Sequence, residues 1–181
     1  TFFEREAGKI KLGIVDPSWL VFSDGFDRRQ WRQVTKRAFD MAASTILLLL
    51  AAPLMLLTAL AIWLESGFKG PIIYRQERVG EGGRVFTVLK FRSMRTDAEK
   101  DGKAVWAQKD DDRITTVGRV IRKLRIDELP QVFNVLRGDM SFVGPRPERP
   151  CFVADLSKQI PYFGLRHCVK PGITGWAQLR Y

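Results

Sequence analysis

Hydrophobic and polar positions are spread unevenly along this chain. Met41 to Leu64, MAASTILLLLAAPLMLLTALAIWL, is 24 residues without a charge. A bilayer core is about 30 Å thick and takes ~20 helical residues to cross, so the block is long enough to span. A helix apolar on every side has no polar face to show water, which disfavours a buried helix of a soluble domain. The block starts well inside the chain and lacks a small-residue cleavage site, unlike a signal peptide. Pro53 lies at its middle. Proline lacks an N–H and clashes with the carbonyl four residues back, so a kink or break is predicted there. The 12 residues from Met41 to Ala52 make roughly 18 Å of helix, too short to cross alone. Basic residues flank both ends, Lys36 and Arg37 before, Lys69, Arg75 and Arg78 after. A spanning helix usually gathers its Lys/Arg excess on one side. The pattern fits a re-entrant helix that enters and leaves on the cytoplasmic face. A spanning helix kinked at proline fits it nearly as well.

Elsewhere the periodicity is that of a mixed domain. Residues 1–35 hold turn formers, Asp16-Pro17-Ser18 and Ser23-Asp24-Gly25. Residues 28–37 carry Arg28, Arg29, Arg32, Lys36 and Arg37 with Trp31 and no acid, as in a segment lying on anionic headgroups. Alternating runs on either side of Gly80-Glu81-Gly82-Gly83, within 71–91, predict a β-hairpin. Residues 96–112 are polar and loop-like. Val117, Val120, Ile121 and Leu124 fall at i, i+3, i+4 and i+7 and predict a helix with one apolar face, Arg119, Arg122 and Lys123 pointing away. Pro130 opens the next helix and Gly138 ends it. A loop with Pro145-Arg146-Pro147 follows, then a short 156–162 stretch. The expected class is α+β and helix-rich, with one Pro-broken re-entrant membrane helix, a β-hairpin and interfacial amphipathic helices.

Charge narrows the partners. Lys plus Arg is 30 against Asp plus Glu 20, a formal net charge of +10. That balance calls for a polyanionic partner: nucleic acid, anionic lipid or phosphorylated substrates. Two cysteines, Cys151 and Cys168, exclude a disulfide-stapled scaffold. No Cys/His cluster suits zinc, no Walker A loop is present, and no GxSxG accompanies the lone His167, which reads as structural. Asp110-Asp111-Asp112 reads as a solvated loop rather than a cation site.

The chemistry concentrates after the helix at 117–124. Arg113, Arg119, Arg122, Lys123 and Arg125 form a basic run without an acid, and Asp127 and Glu128 follow at once. Asp and Glu are favoured at a helix N-terminus for capping and for the macrodipole, and for an arbitrary pair that explanation wins. Here a carboxylate beside several arginines is expected to stay ionised, as a nucleophile or metal ligand must. Paired carboxylates with cationic neighbours also suit Mg²⁺-assisted chemistry on phosphates.

Several stretches, taken together and in order, resemble the bacterial sugar transferase family, the monotopic polyprenyl-phosphate phosphoglycosyl transferases. They are Lys36-Arg37-Ala38-Phe39-Asp40, Lys90-Phe91-Arg92-Ser93-Met94, Asp127-Glu128-Leu129-Pro130-Gln131, residues 133–141, Gly144-Pro145-Arg146-Pro147 and residues 170–176. The resemblance implies transfer of a sugar 1-phosphate from a UDP-sugar to undecaprenyl phosphate with release of UMP, the first membrane step of exopolysaccharide or glycoconjugate assembly. It makes Asp127 a nucleophile that forms a covalent phosphosugar intermediate, giving ping-pong behaviour. It makes Glu128, with Asp127 beside it, the Mg²⁺ ligand. It places Lys90, Arg92, Arg122 and Arg146 on substrate phosphates. It also implies a location on the cytoplasmic face of the bacterial inner membrane, among membrane lipid. The family breaks its helix at Ser-Pro; here the pair is Ala52-Pro53.

By the same resemblance, 1–35 is the run-in from a longer N-terminal region and 36–68 the re-entrant helix. Residues 69–181 are a cytosolic catalytic domain that the family continues past Tyr181 with an aromatic and acidic region and a further apolar helix. The exposed hairpin leaves room for a homodimer. The competing reading is a non-catalytic, membrane-tethered basic module for anionic lipid or nucleic acid. Nucleic acid is disfavoured because few aromatics interleave the run 113–125. A hydrolase releasing the sugar phosphate to water is a third reading. No residue names the sugar.

Overall fold

A computed structural model describes residues 30–98 and 111–175. The readings made on 1–29, most of the 96–112 loop and Trp176 lie outside the described residues.

Helix α1, Gln30–Glu65, takes in the basic segment and the apolar block as one element of 36 residues, roughly 54 Å long. It therefore starts before residue 36, and the basic residues 30–37 are its first turns rather than a separate surface element. The helix also continues through Pro53, so the predicted full break is not there. A proline inside a helix forfeits one hydrogen bond, but the turns on both sides are held. Ser44 and Ala51 before it, and Thr58 and Ile62 after it, are buried against the rest of the protein.

The buried stripe of α1 is unusual in its chemistry. Ser44, Ala51 and Thr58 recur every seventh position and face inward with Asp40 and Ile62. The bulky apolar residues face outward, among them Leu49, Leu50, Leu56, Leu57 and Leu64. Small and polar inside, large and apolar outside, is the reverse of a soluble amphipathic helix and the arrangement of a helix that packs on protein and greases a lipid-facing side.

Both ends of α1 grip the same domain. Near the start, Arg37 donates from Nη2 to the Leu136 carbonyl at 2.6 Å and from Nη1 to the Val135 carbonyl. These are carbonyls of the last turn of helix α3, which lack an intrahelical i+4 donor; Val135 also accepts the Gly138 N–H at 3.0 Å. Lys36 bonds Asp40, and the buried Asp40 carboxylate accepts from Ser141 Oγ at 3.1 Å and from the Phe142 N–H at 3.3 Å. Near the other end, Ile62 packs in a core cluster with Phe91 and Ile121. Glu65 Oε1 accepts the Val117 N–H at 3.0 Å.

The predicted hairpin is present. Strand β1, Ile73–Val79, pairs antiparallel with β2, Val85–Phe91, in a register that sets Tyr74 opposite Lys90 and Gln76 opposite Val88. Helix α2, Thr116–Lys123, is capped by Thr115, whose hydroxyl accepts the Gly118 N–H. Its buried face is Gly118 and Ile121 with Val117 beside them; Val120 and Leu124 are exposed. The 3.6-residue pattern thus placed two of its four apolar residues on the wrong side. Gly118 takes the inner position because an added Cβ would lie 2.0 Å from the Ser93 carbonyl oxygen.

Helix α3, Gln131–Arg137, starts at Pro130 and ends at Gly138, whose φ of 93° is left-handed. A parallel pair absent from the sequence reading follows: β3, Ser141–Val143, with β4, Gly172–Thr174. Gly172 sits so close to Gly144 that a Cβ would meet its nitrogen at 2.1 Å. Helix α4, Pro150–Gln159, begins earlier than the stretch expected at 156–162.

Asn134 joins the layers. It is fully buried; its Nδ2 donates to the Thr87 carbonyl at 2.7 Å and its Oδ1 accepts the Leu89 N–H at 3.0 Å. One side chain thereby fixes β2 on α3 as a third strand would. Asn134→Ala leaves one donor and one acceptor of β2 unpaired, at about 1–3 kcal/mol for each buried group. The unfolding midpoint in detergent should fall clearly, and an unmoved midpoint would show that the bridge contributes nothing.

Candidate active site

The turn between α2 and α3 presents the two carboxylates. Leu124 closes α2, and Arg125 turns the chain with a left-handed φ of 59°. Residues Ile126–Glu128 then make one tight 3₁₀ turn leading into Pro130. Neither carboxylate caps: no side-chain capping bond is made at the start of the turn or of α3. The capping explanation for the Asp-Glu pair therefore loses its main support.

Lys90 reaches the pair from β2. Because strand residues alternate faces, Lys90 leaves on the side of Val88 and of the cross-strand residues Tyr74 and Gln76. Its Nζ lies 2.9 Å from Glu128 Oε1. Arg146 Nη2 is 3.5 Å and Arg125 Nη1 3.7 Å from the same oxygen. The Pro-Arg-Pro loop that carries Arg146 is pinned twice. Arg78 Nη1 donates to the Pro147 carbonyl at 2.9 Å, and Arg166, stacked over Phe163, donates to the Arg146 carbonyl.

These groups line one cleft of about 600 Å³. Lys90, Arg92, Arg122, Arg146, Asp127 and Glu128, all proposed from the sequence, share it. So do Arg113 and Arg125 of the basic run, and Arg78, Arg95 and Arg149, which the sequence did not single out for the site. Arg78 was legible in principle, since it alternates with Tyr74 and Gln76 on the hairpin face that bears Lys90. Arg149 carried no local signal. Asp111, read as part of a solvated loop, instead forms a fork with Arg113, 2.6 Å from its Nη2. His167 packs edge-on against Phe163, consistent with its structural reading.

Electrostatics separate the two acids. Burial pushes the Asp127 carboxyl above the ordinary range, and Lys90, Arg122 and Arg125 only partly offset it. Desolvation outweighs the cations in setting the direction of that displacement. Burial also opposes the charged form of Glu128, but the charge and hydrogen bond of Lys90, with Arg146 and Arg125, more than compensate and hold it below the ordinary value. Burial lowers the Lys90 ammonium, against the pull of Glu128.

Two buried polar atoms have no partner here, Asp127 Oδ1 and Arg92 Nη1. Among the described residues no group of three or more His, Cys, Asp or Glu side chains gathers. A divalent ion with strict oxygen preference does not need one. Mg²⁺ keeps waters and takes one or two carboxylates together with substrate phosphates. The adjacent Asp127 and Glu128, one with an orphaned oxygen in a cationic cleft, fit that donor set.

A cationic cleft centred on two buried carboxylates, beside a helix with an outward apolar face, has the charge to hold an anionic group. The family described as bacterial sugar transferase matches residues 31–181, and the chain belongs to it. The chain is 55% identical over 144 residues to an Aeromonas hydrophila protein named UDP-N-acetylgalactosamine-undecaprenyl-phosphate N-acetylgalactosaminephosphotransferase, covering 80% of this chain and 33% of that one. It is 51% identical over 153 residues to the undecaprenyl-phosphate glucose phosphotransferase of Komagataeibacter xylinus, covering 83% and 28%. It is 51% identical over 146 residues to a UDP-glucose:undecaprenyl-phosphate glucose-1-phosphate transferase of Caulobacter vibrioides, covering 80% and 53%. The chain thus spans about a third, just over a quarter and about half of these relatives.

The Lys90–Glu128 pair can be tested directly. Lys90→Met removes the nearest of three cations around the buried Glu128 carboxylate; losing one partner of a buried pair costs roughly 3–5 kcal/mol, and Arg146 and Arg125 keep the cost here below that range. Adding Glu128→Gln should recover much of that loss. If the two substitutions simply add, the pair is not coupled.

Proposed function

We propose that this chain transfers a sugar 1-phosphate from a UDP-sugar to undecaprenyl phosphate, releasing UMP, as the opening membrane step of exopolysaccharide or glycoconjugate assembly. The observation that carries the reading is the buried pair Asp127 and Glu128, with opposed pKa displacements, inside a cleft of lysine and arginine. The relatives' names, which carry both N-acetylgalactosamine and glucose, support the reaction class and leave the sugar open.

In this mechanism Asp127 is the nucleophile. A carboxylate oxygen attacks the sugar-bearing phosphorus of the UDP-sugar. The bond from that phosphorus to the bridging oxygen breaks, and the oxygen leaves on UMP. A phosphate oxygen of the polyprenyl phosphate then attacks the same phosphorus, and the acyl phosphate bond breaks. That frees Asp127 and gives a polyprenyl diphosphate sugar. Lys90, Arg122 and Arg146 neutralise phosphate charge as it builds and hold the phosphorus in line. Arg92, buried with an unpartnered Nη1, offers a further donor. Asp127 and Glu128 would hold Mg²⁺, which when bound neutralises diphosphate charge. A raised pKa helps the nucleophile, since a more basic carboxylate is a better one once ionised.

The same reading places α1 in the membrane without crossing it. About 38 Å of helix separates Arg37 from Ile62 at 1.5 Å per residue, yet both are bound to one domain. A helix crossing the bilayer cannot have both ends on the same cytosolic domain. The exposed Val120 and Leu124 beside Arg119 and Lys123 suit a helix lying at the interface.

Two measurements test this. Asp127→Asn should lose turnover by roughly 10³-fold or more while folding is kept, and the wild-type full-length protein given UDP-sugar without lipid should gain the mass of one sugar phosphate. Retained turnover, or no adduct, excludes the covalent route. Single cysteines at Thr35 and Ser66, with Cys151 and Cys168 replaced, should both resist a membrane-impermeant maleimide in intact cells and both react in inverted vesicles. Opposite labelling of the two positions would mean a spanning helix.

A further inference from the structure

Besides the cationic cleft, a second cavity of about 260 Å³ touches Glu128, the neighbour of Asp127. Leu47, Arg125, Glu128, Leu129, Ile173 and Thr174 line it. Arg125 and Glu128 belong to both cavities, so these two side chains form the partition between them. The second cavity differs in chemistry: beyond that partition its walls are Leu47, Leu129, Ile173 and Thr174. It is also the one that reaches the apolar helix, through Leu47.

Its surroundings are greasy and exposed. Leu50, one turn on from Leu47, is 75% exposed; Leu124, next to Arg125, is 62% exposed; Val143, opposite Thr174 in the β3–β4 register, is 62% exposed. Exposed large apolar residues around an apolar groove mark a binding surface. What sits in the groove must be hydrocarbon at the outer end and compatible with a cation at the inner end. Arg125 stands there, more than half exposed, 3.7 Å from Glu128. A second protein chain would not need a groove ending on a buried carboxylate. An amphipathic phosphate does, because its head must reach Asp127 while its tail stays among apolar groups.

We propose that this groove holds the first isoprene units of the lipid acceptor, so that the two substrates reach the carboxylates from opposite sides. The nucleotide sugar occupies the cationic cleft, and the lipid phosphate enters past Leu47 and Ile173 with Arg125 at the junction. This rests on the transferase reading above and adds to it a residue-level acceptor site. It gives Ile173, in the Lys170–Gly175 stretch, a contact with substrate in addition to its packing against Val88, Val135 and Met140. It also explains why the β3–β4 pair brings Thr174 beside the membrane helix.

The test uses the full-length protein in nanodiscs. Leu47→Trp, which fills the groove from the helix side, should raise KM for a long-chain polyprenyl phosphate about tenfold, equivalent to ~1.4 kcal/mol. KM for the UDP-sugar, and KM for an acceptor with a single prenyl unit, should not rise. Because Leu47→Trp disturbs packing, a second measurement leaves the sequence intact: polyprenyl phosphate with a diazirine in its first or second isoprene unit, photolysed on the wild-type protein and mapped by mass spectrometry. Labelling on Leu47, Leu129 or Ile173 supports the groove. Labelling on Tyr74 or Phe152 in the cationic cleft, or an equal KM penalty for the one-unit acceptor, overturns it. If the wild-type protein turns over no UDP-sugar with any lipid phosphate, the transferase reading fails instead; diazirine labelling of the groove would then still report lipid binding there.

Discussion

The fork of Arg37 on the last carbonyls of α3 ties the apolar helix to the site. Helix α3 has seven residues, about 10 Å of axis. At one end it receives the turn that carries Asp127 and Glu128; at the other its last-turn carbonyls take the guanidinium of α1. A short helix with both ends bound transmits position rigidly. The depth of the carboxylates relative to the apolar face of α1 is therefore set by two hydrogen bonds and the Asp40 contacts with Ser141 and Phe142. Lys36 and Arg37 look in sequence like a charge flank of a membrane segment. In the structure they are structural ligands, which explains why a lysine, an arginine and an aspartate share that first apolar-helix turn.

Asn134 supplies the second half of the alignment. It holds β2 to α3 through both its amide groups, so Lys90 and Glu128 come from elements locked together by a fully buried side chain. A salt bridge across two independently moving elements would pay side-chain entropy for little gain. Between locked elements the cost is already met by the packing of Val88, Val135 and Met140. The Pro-Arg-Pro loop is treated the same way, with Arg78 and Arg166 fixing its carbonyls so that Arg146 is presented rather than left to wander.

Much of this was legible in the chain and some was not, for physical reasons. The hairpin announced itself by alternation around a glycine-rich turn, and the α3 boundaries by Pro130 and Gly138. Asp127, Glu128, Lys90, Arg92, Arg122 and Arg146 do meet in one cleft, as residue type and resemblance implied. The β3–β4 pair escaped because three-residue strands have no readable period, and their partners lie 31 positions apart. The exposed positions of Val120 and Leu124 escaped because periodicity assumes that apolar means inward. Beside a helix whose own large apolar residues face out, that assumption fails. The inward stripe of α1 was readable after all, in Ser44, Ala51 and Thr58 at seven-residue spacing, but only to a reader looking for small residues rather than large ones.

The opposed shifts of two adjacent acids follow from where their neighbours sit, and they divide the labour under the proposed reaction. Both are desolvated to a similar degree. Glu128 has Lys90 within hydrogen-bonding distance and two arginines near the same oxygen, so its charge is held. Asp127 feels those cations from further away and keeps an oxygen with no partner. A substrate phosphate carries charge that the cleft must accept, and Glu128, its charge favoured by Lys90, competes with that phosphate for the lysine in the ground state. A carboxylate stabilised as strongly as Glu128 would be a poor nucleophile, and one as lightly stabilised as Asp127 would be a poor permanent counter-ion. Exchanging the two side chains would retain the charge of the site and the cations around it. It would still misplace the reacting oxygen, because a glutamate at 127 carries its carboxylate one methylene further from the backbone.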